Sequence, residues 1–259
     1  MAYIMSVILD AREISKTYTI GKGNAYQALK DVSLQIDEGE FVCVMGPSGS
    51  GKSTLLYNIS GMDKADSGSV QFGGKNICSL SEKELANLRL TKMGFVFQQS
   101  NLLKNLSILD NIIVAAYLGG HDKRSAINER AAALMEQTGI SHLKGNDITQ
   151  ASGGELQRAA ICRALINEPE ILFGDEPTGA LNSSSANEVM EIFCGINRRG
   201  GTILLVTHDA KVAARSDRVL YMEDGKIIGG YCPGRYSPAD HDLKQRENEL
   251  GDWLTKMGF

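Results

Sequence analysis

The chain has 259 residues, 27 Lys and Arg against 31 Asp and Glu, a net charge of −4, and 28 glycines. Glycine is about 11% of the chain against a usual ~7%, yet no Gly-X-Y period and only 5 prolines accompany it, so collagen and low-complexity disorder are excluded. With 42% hydrophobic and 22% charged residues the chain can bury a large core, and its mild acidity gives no overall reason to expect nucleic acid as a partner.

The segment Met1 to Leu9 is apolar but lacks a basic start and a small-residue cleavage site, and Asp10 and Arg12 follow at once, so no export signal is expected. No apolar run approaches the ~18 residues that cross a bilayer. Val7 to Ser15, Tyr18 to Ile20 and Val32 to Ile36 read as short strands of an antiparallel lobe, with Gly68 to Asn76 adding a hairpin around Gly73-Gly74. Phe41 to Met45, Met93 to Phe97, Glu170 to Phe173 and Thr202 to Val206 hold apolar, β-branched runs bounded by glycine or charge, the pattern of strands buried on both faces of a parallel sheet. Ser107 to Gly139 turns helical, with Ile108, Ile112, Val114 and Ala115, then Ile127, Ala131, Leu134 and Met135 at helical spacing and Gly139 as C-cap.

Gln99 to Thr149 is therefore read as a mostly helical insertion between two sheet strands, and the fold class as α/β. After Cys232-Pro233-Gly234, the residues Leu243, Leu250, Trp253, Leu254 and Met257 share one helical face. That face either packs on the chain's own surface or docks a partner. Cys43, Cys78, Cys162, Cys194 and Cys232 are odd in number, with no C-x-x-C pair, which points to a reducing cytosol rather than to a disulfide framework or a zinc site.

Chemistry enters at Gly46-Pro47-Ser48-Gly49-Ser50-Gly51-Lys52-Ser53-Thr54, which fits G-x-x-x-x-G-K-[ST] between the strand ending at Met45 and the helical pattern from Leu55. The glycines let successive N–H groups turn toward phosphate oxygens at a helix start, Lys52 brings charge to the β and γ phosphates, and the Ser53 hydroxyl is placed to ligate Mg²⁺. A second carboxylate-bearing strand end follows in Ile171 to Glu176. Asp175 is expected to hold the Mg²⁺ shell and Glu176 to act as general base on the attacking water.

Ala151-Ser152-Gly153-Gly154-Glu155, followed by Leu156-Gln157-Arg158, resembles the signature motif of ATP-binding-cassette (ABC) ATPases, usually LSGGQ. The resemblance implies a P-loop NTPase (RecA-like) parallel sheet core with an N-terminal antiparallel β lobe and an inserted α-helical subdomain. It implies a single nucleotide-binding domain over 1–259, with 7–98 plus 165–230 as catalytic core, 99–164 as helical subdomain carrying the signature, and 231–259 as a C-terminal extension. Ser152, Gly153, Gly154 and Glu155 would face the γ-phosphate of ATP held by a second copy, hence a homodimer with two shared sites. By the same resemblance Gln98 is the Q-loop glutamine that touches Mg²⁺ and attacking water, His208 the switch histidine on the γ-phosphate, and Tyr18 the aromatic that stacks on adenine. Gly179-Ala180-Leu181-Asn182 matches the D-loop of the dimer interface.

Three positions depart from the pattern: Ala151 for Leu, Glu155 for Gln, and Asn182 for Asp, which keeps hydrogen-bonding capacity but loses a charge. Gly94-Phe95-Val96-Phe97-Gln98 and Gly174-Asp175-Glu176-Pro177-Thr178-Gly179-Ala180-Leu181 are similar to the branch of macrolide exporters, lipoprotein-release ATPases and antimicrobial-peptide transporters. In that branch the resemblance implies a separate ATPase chain paired with a membrane permease, sited peripherally at the cytoplasmic face of the cell membrane. The implied function is ATP hydrolysis that powers or gates export or extraction of a peptide, lipoprotein or drug-like substrate. An ATP-gated clamp that signals through its membrane partner without transport is the alternative. A cassette acting on DNA or ribosomes is disfavoured by one P-loop and no sustained heptads, and a simple kinase has no use for the Ser152-Gly153-Gly154 and His208 stations.

Overall fold

The computed structural model describes residues 6–21, 23–120 and 122–258. The chain forms two compact units, one from the chain up to Leu85 together with Asn197 onward, the other from Ala86–Ile196.

In the first unit, β1 (Val7–Ile20) and β2 (Asn24–Asp37) pair antiparallel over almost their whole length. The sequence suggests three short pieces here, but register shifts between Ala11 and Thr17 absorb the polar breaks without ending the ladder. The far side of β1 pairs with β4 (Ser67–Phe72), which turns through Gly73 and Gly74, φ +52 and +76, into β5 (Lys75–Asn76). Two successive positive φ values make the tight hairpin expected at that pair.

β3 (Phe41–Met45), buried at every position, lies between β8 (Thr202–Val206) and β9 (Arg218–Glu223) and runs parallel to both. Its continuous apolar run is what burial on both faces demands. α1 (Lys52–Ile59) leaves the end of β3 after six residues, and α7 (Ala210–Ala213) follows β8. β10 (Lys226–Tyr231) returns antiparallel along β9. This hairpin was not read from sequence, because Gly229 and Gly230 and the alternating exposure of β10 dilute its apolar signal.

α8 (Leu243–Lys256) packs on this hairpin with Leu250 and Leu254 buried, each worth about 1.5–3 kcal/mol by transfer from water. Trp253 stacks on Tyr231 at 5.6 Å and meets Tyr221 edge-on at 6.3 Å. The face predicted for this helix thus lies on its own chain. Arg246, only 5% exposed, donates to the carbonyls of Ala214, Ser216, Pro233 and Gly234 and fastens the helix.

In the second unit, β6 (Met93–Phe97) and β7 (Ile171–Asp175) form a parallel pair. α2 (Glu82–Lys92), which precedes β6, buries only Leu85 and so gave no periodic signal. α3 (Ile108–Gly119), α4 (Arg124–Gln137) and α5 (Gly153–Leu165) share a core of Ile108, Ile112, Ile127, Ala131, Met135 and Ala159. The helical span predicted over Ser107 to Gly139 is broken after α3, where Gly120 takes φ +67, and Gly139 follows the end of α4 with φ +70. α6 (Ser183–Arg198) begins after Asn182, whose Oδ1 accepts from the Ser185 N–H and caps the helix.

Candidate nucleotide site

Each compact unit carries one half of the predicted machinery. In the first, the loop between β3 and α1 folds as a cradle for an anion. Gly46, Gly49 and Gly51 take φ +150, +82 and +101, values that side-chain-bearing residues avoid. At Gly46 a Cβ would run into the Met222 carbonyl oxygen, so glycine is required by space as well as by backbone. The Ser50 N–H donates to the Pro47 carbonyl at 3.2 Å, and the Leu55 N–H to Gly51 at 2.8 Å, closing the loop into the first turn of α1.

Lys52 lies inside this loop, 7% exposed, with Nζ donating to the carbonyls of Gly46 at 2.8 Å and Pro47 at 2.7 Å. An ammonium at that place puts a positive charge at the mouth of a helix N-terminus. Ser53 and Thr54 follow in α1.

Three supports of the cradle were missed in the sequence. The Tyr26 hydroxyl donates to the Gly49 carbonyl at 2.8 Å. The Gly225 N–H donates to the Ser50 carbonyl at 3.0 Å, and its own carbonyl accepts from the Lys30 N–H at 2.8 Å, so the β9–β10 turn ties the loop to β2. These contacts join residues far apart in the chain, with no local pattern to reveal them.

Tyr18, on β1, stays 36% exposed. Its hydroxyl donates to Asp63 at 2.7 Å and Lys16 Nζ lies 5.1 Å from its ring centroid. Burial and Asp63 raise its phenol pKa, while the Thr54 hydroxyl pulls it back, which puts Tyr18 beside the end of the cradle motif. Asp63 is pushed up by burial, but Lys16 at 2.9 Å and the Tyr18 hydroxyl outweigh this and hold it below the usual carboxylate range. His208 stands exposed beyond the C-terminal end of β8, on a turn where the Asp209 N–H donates to Thr207 Oγ1 at 3.0 Å and Asp209 caps α7.

In the second unit, Asp175 closes β7 opposite Phe97 of β6, and Gln98 follows Phe97 directly. Glu176 takes φ +48, a left-handed bend that turns its side chain out of the strand direction. A Cβ built on Gly179 would lie 3.0 Å from Gln98 Nε2 and 3.3 Å from Glu176 Oε2. The Gln98 amide and the Glu176 carboxylate therefore converge on one point at the start of the predicted D-loop.

Ser152 is the N-cap of α5, with Gly153 and Gly154 in the first turn. Glu155 reaches back: its Oε2 accepts from the Ser152 N–H at 2.8 Å and from the Ser152 hydroxyl at 2.7 Å, while the Glu155 N–H donates to Ser152 Oγ. This is a capping box. The Ser152 hydroxyl and N–H hold the Glu155 carboxyl below its ordinary pKa. The departure from Gln to Glu at this position thus keeps a local task, the ordering of Ser152 and the helix start.

A parallel α/β sheet whose buried strand runs through a glycine cradle into a helix, with a lysine held inside the cradle, defines a P-loop nucleotide-binding protein. The family described as ABC transporter matches residues 29–179. The chain is 44% identical over 87% of its length to the lipoprotein-releasing system ATP-binding protein LolD of Aquifex aeolicus, covering 98% of that relative. It is 40% identical over 93% of its length to the macrolide export ATP-binding/permease protein MacB of Neisseria gonorrhoeae. It spans 34% to 37% of the MacB relatives it matches. Among solved structures it is similar to the ATP-binding cassette MJ0796, a dimer in a post-hydrolysis state bound to ADP and Pi, with TM-score 0.81, 36% identity, and 88% of this chain and 100% of that one covered.

The chain belongs to the ABC transporter family. The expectation that the branch keeps its ATPase on a separate chain does not extend to the MacB relatives, whose name joins ATP-binding and permease functions and of which this chain spans about a third. Among the described residues, no helix is long and apolar enough to cross a membrane.

Proposed function

We propose that this cassette powers or gates a membrane permease, in a system that exports or extracts a peptide, lipoprotein or drug-like substrate. The observation that carries the reading is the convergence of Gln98 and Glu176 beside Gly179, in a chain that also holds a complete phosphate cradle. The names of the LolD and MacB relatives, lipoprotein release and macrolide export, supply the substrate classes. The cassette works as a homodimer at the cytoplasmic face of the membrane, held there through the permease. Catalytic core over 7–98 and 165–230, helical subdomain over 99–164 and extension over 231–259 is the division of labour we assign.

Gly46 to Thr54 bind the phosphates of ATP in this reading, and Tyr18 takes the adenine on its exposed ring. Glu176 draws the proton from the attacking water, Gln98 orients that water, and His208 contacts the γ-phosphate. Ser152, Gly153, Gly154 and Glu155 meet the γ-phosphate of the partner copy. The oxygen donors Ser53, Asp175 and Gln98 suit Mg²⁺, a hard cation that keeps waters and phosphate oxygens in its shell, and the ion would supply charge neutralisation at the phosphates. Among the described residues no cluster of three or more His, Cys, Asp or Glu side chains forms a self-sufficient metal cage, in keeping with an ion shared with its nucleotide.

Glu176→Gln tests the assignment. Loss of the general base is expected to lower turnover by roughly 10²–10⁴-fold while ATP binding survives, so the variant accumulates as an ATP-bound dimer in light scattering. Hydrolysis at the wild-type rate with the permease present would sink the role of Glu176. Recovery of a permease with this chain as bait, from solubilised membranes, tests the partner.

A further inference from the structure

The helix that presents Ser152 also holds the segment that carries Gln98. Gln157 on α5 is only 2% exposed, and its Nε2 donates to the Phe97 carbonyl at 2.7 Å. Further along the same helix, the two terminal nitrogens of Arg163 donate to the carbonyls of Asn101 at 2.7 Å and Ser100 at 2.8 Å. Asn101 takes φ +49, so the chain bends sharply at the point that Arg163 grips. The helix and β6 approach so closely that a Cβ on Gly94 would lie 2.6 Å from the Ala164 carbonyl oxygen.

From the other side, Asn111 of α3 accepts from the Leu103 N–H at 2.6 Å and donates to the carbonyls of Leu103, Leu106 and Ser107. Gln98 and Gln99 are the exposed span between these attachments. Buried amides and guanidinium groups spent on backbone carbonyls fix position, because loss of a partner leaves a buried polar group unpaired. Burial lowers the Arg163 pKa, and the two carbonyls are the partners given to that desolvated charge.

We propose that Gln157 and Arg163 are positioning residues for ATP hydrolysis: by holding the backbone on both sides of Gln98 they fix that amide in register with Ser152 on the same helix. The inference rests on the reading of Gln98 as a nucleotide-site residue. A misplacement of about 1 Å in a positioned group can cost ~10²-fold in rate. A planar fork that spans two carbonyls has no equivalent in a lysine.

The test is a double-mutant cycle on the full chain, read as kcat and KM for ATP under single-turnover and steady-state conditions. Arg163→Lys keeps the charge and loses the fork. It is expected to lower kcat about tenfold or more, with KM within about twofold. Gln98→Ala should lower kcat at least as much, and the Gln98→Ala/Arg163→Lys variant should fall no further. Gln157→Met, nearly isosteric, should repeat the pattern and serves if Arg163→Lys does not fold. Multiplying losses in the double variant, or a KM that rises in step with falling thermal stability, would overturn the positioning role alone. Wild-type hydrolysis by Gln98→Ala would overturn the reading of Gln98 and this proposal with it.

Discussion

In the function proposed above, the phosphate cradle and the signature region have related tasks, each offering a helix start to phosphate, but they are built in opposite ways. The cradle is one contiguous stretch, Gly46 to Thr54, whose shape is dictated by backbone values that glycine permits. The signature region is held by side chains: Glu155 returns to Ser152, Gln157 reaches Phe97, and Arg163 reaches Ser100 and Asn101. A backbone-built site fails wherever an added atom meets neighbouring backbone, as at Gly46, whereas a side-chain-built site degrades in steps as single bonds are removed.

The largest expected effect follows from the first half of that contrast. Gly46→Ala drives a methyl into the Met222 carbonyl on β9, and overpacking of this kind costs about 1–3 kcal/mol on top of the backbone penalty. Gly49→Ala meets nothing within 4 Å and pays only the left-handed penalty, about 1–2 kcal/mol. In thermal melts, ATP at 100 times its wild-type Kd should stabilise wild type by about 2.7 kcal/mol. That ATP-dependent shift should vanish in Gly46→Ala and persist in part in Gly49→Ala. Equal loss in both variants would mean that space around Gly46 is not what shapes the loop.

A step-like response is expected at the signature. Ser152→Ala removes the N-cap of α5 and leaves the Glu155 carboxylate with one fewer donor. The cost should be about 1 kcal/mol, within the usual 0.5–2 for a lost cap. Denaturant unfolding with an unchanged m-value would register it. A cost near zero would show that the capping box contributes order and no stability.

The same contrast explains what could be read from sequence. Phe41 to Met45 and Ile203 to Val206 announced buried strands because all their residues are apolar, and the hairpin at Gly73-Gly74 announced itself by two adjacent glycines. The cradle was legible for the same reason: its chemistry is written in consecutive residues. Tyr26, Gly225, Gln157 and Arg163 were not, since each acts on a backbone carbonyl at least 23 residues away, and a carbonyl carries no residue identity. α2 escaped for want of a buried face, and β10 because its glycines, among them Gly229 under Met257 and Trp253, serve close packing by α8. The Asn182 departure looked like a lost charge. In the fold it is a helix cap, a task that Asn performs as well as Asp.

The smallest effect distinguishes the Glu155 carboxylate from the glutamine usual in this family. The Ser152 hydroxyl and N–H hold the Glu155 pKa below its ordinary 4.5 in the folded chain. A group depressed on folding stabilises above its unfolded pKa, and that contribution is lost as pH falls through the folded value. The wild-type chain should therefore lose a small increment of stability on acidification from above pH ~4.5, as Glu155 takes up a proton. In Glu155→Gln the amide oxygen still accepts from Ser152 but cannot titrate, so that increment should be absent from the variant's own profile and appear in the difference between the two melting profiles. His142 Nε2, 3.2 Å from Glu155 Oε1 but 63% exposed, adds an attraction that salt screens. Repeating the comparison at high salt should leave the Ser152 contribution and remove that of His142. A difference profile flat from pH 7 to pH 3 would show that the carboxylate gains nothing from its place at the helix start, and that Glu and Gln are interchangeable there for stability.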